Sequence, residues 1–255
     1  FSIPPGSWVT GTTGPYAFTV GAGPNAVTMT FTVTVAQPFS AGLPNQQQHG
    51  GLPDVIRAGH QVASNQDKIS LSTQQVTFSR PINKFVYVTT DVDYLDTATT
   101  NPNPGWQDVA RGRVNGTVLP TSITAGANHT VDNATGTVTA TGVNNCANSN
   151  SDCNASFNFN INGINSATEE FRTGPNHNGG GQFVGWTSFG FCAPNRANIT
   201  IRKVWVNATI NDAVSISATG LTGFASVANA ANETDTSAVQ VVNAGSSINF
   251  AESFT

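Results

Sequence analysis

At 255 residues the chain is long enough for one large β domain or two smaller ones, and for a real hydrophobic core. Only 9% of its residues are charged, against about 25% in an average globular protein, so Asn, Thr, Ser and Gln must carry solubility. A net charge of -4, with only ten lysines and arginines, argues against nucleic-acid binding through phosphates, and no apolar run is long enough for a membrane span.

The first segment, FSIPPGSWVTGTTGPYAFTV, is broken by Pro4, Pro5, Gly14 and Pro15, so residues 1–20 are expected to form an extended arm or at most an edge strand. After GAGPN, Val27, Met29, Phe31, Val33 and Val35 alternate with threonines, which predicts a strand with one core face and one hydroxyl face. Residues 37–66 are polar and interrupted by prolines and glycines. They read as a long surface loop carrying solvated His49 and His60. Short strands are expected around Ile69–Leu71 and Val76–Phe78, with SRPIN turning the chain into the next element.

That element, from Phe85, is β-branched and aromatic at nearly every position and predicts a strand buried on both sides. It runs into acids. Asp91 and Asp93 are two apart and so would share a strand face; Asp96 follows, and Asp108 comes after a Pro/Asn/Thr-rich loop. Asp91, Asp93 and Asp108 form a candidate Ca²⁺ site, since that ion takes carboxylate and carbonyl oxygens; the competing reading is that these acids cap turns. A sugar-hydrolysing acid pair would need two carboxyls facing a cleft, and no nucleophile motif is present. No cofactor is required by anything in the sequence.

Beyond Asp108 come VARGRVNG, GTVTATGV, ASFNFNING and FVGWTSFGF, short strands between Gly/Asn/Pro turns that indicate an all-β antiparallel sandwich of jelly-roll or lectin-like type over residues 21–194. Glu169 and Glu170 lie in INSATEEFR, which fits either a strand or a helical turn. Trp106 and Trp186 are expected in the core rather than on a sugar-stacking platform with Trp8, Tyr16 and Tyr94. Of three cysteines, Cys146 and Cys153 flank a short polar loop and are the expected disulfide, with Cys192 left over. From residue 195, five short strands suit a small immunoglobulin-like module that is one strand short of closing. The low-charge texture, and a first residue that is neither Met nor part of a charged leader, predict a secreted product, extracellular or at the cell surface, with its signal peptide removed.

The order Asp91-x-Asp93, Trp106-Gln107-Asp108 and Phe191-Cys192 resembles the non-repetitive β-sandwich domains of bacterial Csh-type fibrillar adhesins. The tail IRKVWVNATINDAVSISATG…VNAGSSINFAESFT is similar to the prealbumin-like or immunoglobulin-like repeats that follow such domains, in which a further strand succeeds the AESF segment. The resemblance implies surface display, adhesion or fibre building rather than catalysis. It leads to an expectation of a fibre subunit that self-associates by strand donation, the N-terminal arm lying in a neighbour's C-terminal module with Ile3, Trp8 or Val9 as plugs. The alternative is a monomeric adhesin domain binding surface glycans or host or matrix proteins, and a secreted hydrolase is the third and least supported reading.

Overall fold

A computed structural model describes residues 3–35, 43–62, 71–95, 105–142, 146–176 and 180–255. The described residues contain no α-helix and fall into two units, residues 1–20 with 27–193, and residues 21–26 with 194–255. The expected arm is therefore part of the first unit.

In the first unit the strands run β1 (Tyr16–Val20), β2 (Val27–Val35), β3 (Asn45–His49), β4 (Leu52–Val62), β5 (Leu71–Thr90), β6 (Tyr94–Leu95), β7 (Trp106–Val114), β8 (Ser122–Ala125), β9 (His129–Asp132), β10 (Thr137–Ala140), β11 (Ala155–Phe159), β12 (Ile164–Thr173) and β13 (Gly180–Cys192). All pairings are antiparallel and build a two-layer sandwich on β5. The first half of β5 pairs with β2 and β12, and the layer continues through β7 and β10 to β9. Its second half pairs with β13 and β11 in the other layer, which extends to β4, β3 and β8.

The segment SRPIN is thus not a turn between two strands. It is the bend at which one 20-residue strand passes from layer to layer, with Arg80 and Ile82 buried on either side of Pro81 and Lys84 at φ 52°. Between the layers, Phe31 meets Trp186 edge-on at 5.7 Å; within one layer, Tyr87 stacks on its cross-strand neighbour Phe157 at 5.1 Å. Trp186 is core as expected, and INSATEEFR is strand rather than helical turn.

Two expectations are corrected here. Residues 45–62 are a hairpin, β3 with β4, and not part of a loop; the composition is polar because β3 is short and lies at the end of its layer. Ile3 and Trp8 fill the chain's own core, 1% and 4% exposed, so as placed they are not plugs for a neighbour; Val9 alone of the three is exposed. Gln46 on β3 ties the segment down, accepting from Trp8 N–H at 3.2 Å and donating to Pro4 O at 2.9 Å, and Trp8 packs on Tyr16 at 4.4 Å.

The second unit contains β14 (Arg196–Ile199), β15 (Arg202–Val206), β16 (Ala213–Ala218), β17 (Phe224–Val227), β18 (Asn232–Thr236), β19 (Gln240–Asn243) and β20 (Phe250–Phe254). They form three short sheets, β14 with β19, β15 with β18, and β17–β16–β20. The core is small: Ile201, Trp205, Val214, Ile216 and Ala228.

Candidate functional site

Strand β5 ends in two fully buried threonines, Thr89 and Thr90, and the acids follow directly. Asp91 has φ 65°, which takes the chain out of strand register, so the period-two argument for one face shared by Asp91 and Asp93 does not apply. Asp91 turns to His49, whose Nε2 lies 3.1 Å from Asp91 Oδ2 and whose Nδ1 lies 2.6 Å from Thr90 Oγ1. His49, expected to be solvated, is completely buried. Gly185 makes room for it: a Cβ there would collide with Val55 and Thr90 and press on His49.

Asp93 points inward to Asp108, where β7 begins beside the short β6. Asp93 N–H donates to Asp108 Oδ2 at 3.3 Å, and Asp108 N–H returns to Asp93 O at 3.0 Å. Trp106 Nε1–H donates to Asp93 Oδ1 at 2.6 Å and Cys146 N–H to Asp93 Oδ2 at 3.2 Å. Burial pushes the Asp93 carboxyl up to about 7, with the charge of Asp91 adding to it, while its hydrogen bonds to Asp108, Trp106 and Cys146 pull the other way. Asp108 is also raised well above the ordinary carboxylate range, by burial first and then by the charges of Asp93 and Asp91. Two carboxyls this close and this buried titrate as a pair.

The Cys146–Cys153 disulfide closes the loop over this pair, as the sequence predicts, and Cys192 is free and exposed. The loop is strapped to the β3–β4 turn through Gly51 N–H to Asn148 O at 3.0 Å, and to the acids through Val92 N–H to Cys153 O at 2.9 Å. A third buried acid lies on β12. Glu169 sits between Ala167 and Phe171 on the inward face, accepts from Thr89 Oγ1 at 2.6 Å and has its carboxyl raised by burial to about 8. Period-two reading of β12 could have placed Glu169 inside. Nothing local could have placed His49.

Of the three acids proposed for Ca²⁺, Asp93 and Asp108 are therefore tied to each other while Asp91 turns away to His49. Among the described residues, no group of three or more His, Cys, Asp or Glu is placed to hold a metal ion; Asp96 lies outside the described residues. With Asp108 fully buried and Asp93 3% exposed, the pair is sealed beneath the disulfide loop. Of the aromatics weighed for a sugar platform, Trp8 and Trp186 are core and half-buried Trp106 donates its indole N–H to Asp93.

In the second unit every strand except β16 has a single ladder partner, and two of these edge strands, β15 and β20, lie beside one another. Strand β20 is exposed at all five residues and pairs only with β16; β15 pairs only with β18. Thr255 N–H donates to Ala213 O and Thr219 N–H to Asn249 O, a phase that turns the backbone groups of Ala251 and Ser253 to β16 and those of Phe250, Glu252 and Phe254 to the open side. β15 and β20 line the same groove. Its two cavities, of about 360 and 340 Å³, have Ile201, Arg202, Phe250 and Glu252 around one and Lys203, Val204, Val206 and Phe254 around the other. A single side-chain bridge spans it, Lys203 Nζ to Glu252 Oε1 at 2.5 Å. Val204, Val206, Phe250 and Phe254 are each at least half exposed.

Compared with protein-family models, with curated proteins and with solved structures, the chain matches none.

Proposed function

We propose that this chain is a non-enzymatic component of an extracellular surface assembly of the fibrillar-adhesin kind, joined to its neighbours by β-strand addition at the second unit. The observation that carries this reading is the groove between β15 and β20, flanked by two strands whose outward N–H and C=O groups have no ladder partner and whose exposed side chains include Val204, Val206, Phe250 and Phe254. Free edges beside apolar surface are normally covered, and an added strand covers them with main-chain hydrogen bonds. A head-to-tail contact of this type propagates into a fibre unless its rotation closes a ring. The disulfide is compatible with an oxidising, extracellular setting, and among the described residues no helix is long and apolar enough to cross a membrane.

The donor is not the N-terminal segment as it stands, because Ile3 and Trp8 are already buried. The test is light scattering and electron microscopy across a concentration series, with a Phe250→Pro/Phe254→Pro variant alongside. Proline at those positions removes outward N–H groups and leaves the ladder to β16 intact. Concentration-dependent filaments or oligomers that the variant loses are expected; a wild type that stays monomeric at high concentration, or a variant that assembles equally well, refutes strand addition.

A further inference from the structure

The ten basic residues are not evenly spread in space. Three of them converge on the outer face of the first unit. On β7, Val109, Arg111 and Arg113 alternate with buried Ala110, Gly112 and Val114; on β12, Glu170 and Arg172 alternate with buried Glu169, Phe171 and Thr173. The register sets Glu170 opposite Arg111 and Arg172 opposite Val109, while Thr137 of β10 lies opposite Arg111 on the other side. All three guanidinium groups therefore gather on one carboxylate, Arg172 Nη2 at 2.8 Å, Arg113 Nη1 at 3.8 Å and Arg111 Nη1 at 3.9 Å.

One glutamate does not neutralise three arginines. Asp132, held by Thr135 and close enough to act on Arg111, brings the count to three positive against two negative, a local surplus of one in a chain whose net charge is -4. The charges of Arg113 and Arg172 both act against that of Arg111, so the cluster carries unspent attraction for an anion. Arg111 is fixed in place by Nε–H donating to Thr135 O at 2.8 Å. Beside it opens a cavity of about 220 Å³ lined by Val109, Arg111, Thr135, Thr137 and Arg172. That is below the roughly 300 Å³ at which drug-sized pockets begin, so it suits one ring or one charged substituent.

The walls narrow the chemistry. A guanidinium matches the paired oxygens of a carboxylate or sulfate, Thr137 offers a hydroxyl beside Thr135, whose own proton goes to Asp132, and Val109 supplies an apolar floor. Away from the cavity the same sheet face continues as hydroxyls and amides, since Thr73 lies opposite both Glu170 and Thr34, and Gln75 opposite both Thr168 and Thr32. We infer that Arg111, Arg113 and Arg172 form a binding site for an acidic sugar, held through its carboxylate or sulfate with the rest of the saccharide lying across the threonine and glutamine face. This inference does not depend on strand addition in the second unit.

Calorimetry on the full chain tests it with a trigalacturonate, a sulfated galactan tetrasaccharide, a neutral galactose trisaccharide and sodium sulfate, each at low and at physiological salt. At least one acidic oligosaccharide should bind with one-to-one stoichiometry and weaken as salt rises, and which one binds tells whether carboxylate or sulfate is held. Arg111→Gln and Arg172→Gln should each weaken it by about tenfold, the scale of one charge-assisted hydrogen bond. Glu170→Gln removes the competing carboxylate and should strengthen it, a sign that a purely structural role for Glu170 would not give. Should Glu170→Gln fail to fold, methyl chemical-shift changes at Val109 and Thr137 in the wild type locate the ligand instead. The site is refuted if folded wild type binds neither acidic oligosaccharide, if the neutral trisaccharide binds equally, if the arginine variants bind unchanged, or if free sulfate binds as tightly as the saccharides.

Discussion

Asp93 and Asp108 hold each other from both ends: the N–H of each donates to an oxygen of the other, at 3.3 Å to the Asp108 carboxylate and at 3.0 Å to the Asp93 carbonyl. This mutual grip pins the end of β5 to the start of β7 and holds two buried carboxyls side by side. Because burial raises both carboxyls in the folded state, the native protein binds more protons than the unfolded chain between the ordinary carboxylate range and about 7 for Asp93. Stability is therefore full at acid pH and lost as pH rises through the folded titration, at up to about 1.4 kcal/mol per pH unit for each group. Thermal melts should give a higher Tm at pH 5 than at pH 8. Asp108→Asn, which keeps the shape and discards the ionisation, should flatten that slope; an unchanged slope in the variant would place the protons elsewhere.

Glu169 makes the same argument from a different strand. Its carboxyl, raised to about 8 by burial, is mostly protonated at neutral pH, and Oε1 lacks a partner while Oε2 accepts from Thr89. Glu169→Gln should be close to neutral in stability at pH 7 and stabilising at pH 9, where the wild type must ionise in the core. Thr89→Val, which strips the one hydrogen bond the carboxyl has, should destabilise at every pH by about 1–3 kcal/mol. Urea unfolding of both variants at the two pH values checks the pair of signs.

Much of the frame is legible in the residues, and the gaps have physical causes. The Val/Met/Phe against Thr alternation of β2 is visible because both faces of that strand are uniform in polarity over nine residues. The 146–153 bridge is visible because, of the three pairings open to the cysteines, this one closes a short polar loop. β3 is invisible: NQQQH has no apolar alternation, and His49 is buried only because Thr90 and Asp91 come to it from about forty residues away. Pro81 suggests a turn, whereas the chain uses it at a layer-crossing bend. Prolines likewise make the N-terminal segment look free, while Gln46, distant in sequence, holds it down. The arginine cluster is hidden for the same reason, since Arg172 joins Arg111 and Arg113 only through the β7–β12 register.

The disulfide loop should behave as a lid on the acid pair. A loop with a cysteine separation of 7 is worth about 2.5 kcal/mol by chain entropy, so Cys146→Ser/Cys153→Ser should lose about that much. Its further effect is on Asp93. Opening the loop admits water, which lowers the carboxyl, and removes the Cys146 N–H bond, which raises it; burial is the larger influence, so the Asp93 titration should move down toward the ordinary range. Carbon-detected NMR of the Asp93 side chain reads this directly, and an upward move would show that the Cys146 bond outweighs solvent exclusion.

Gly185 lies on β13 opposite Arg57 of β4 and Thr90 of β5, and a methyl there would drive into Val55 and Thr90 and crowd His49. Backbone conformation is not the obstacle, since Gly185 is not among the positive-φ glycines. The cost of Gly185→Ala is steric and falls on three side chains that cannot all retreat, because Thr90 and His49 are fully buried and 2.6 Å apart. Overpacking of this kind costs typically 1–3 kcal/mol. The His49–Asp91 contact, at 3.1 Å, is the part with freedom to yield, since Asp91 lies at the surface side of the pair. Gly185→Ala should therefore lower the Tm and also expose His49, moving its ring signals toward those of a solvated imidazole. A variant that melts like the wild type with unshifted His49 resonances would mean that β4 and β13 separate to absorb the methyl, and that the burial of His49 does not depend on Gly185.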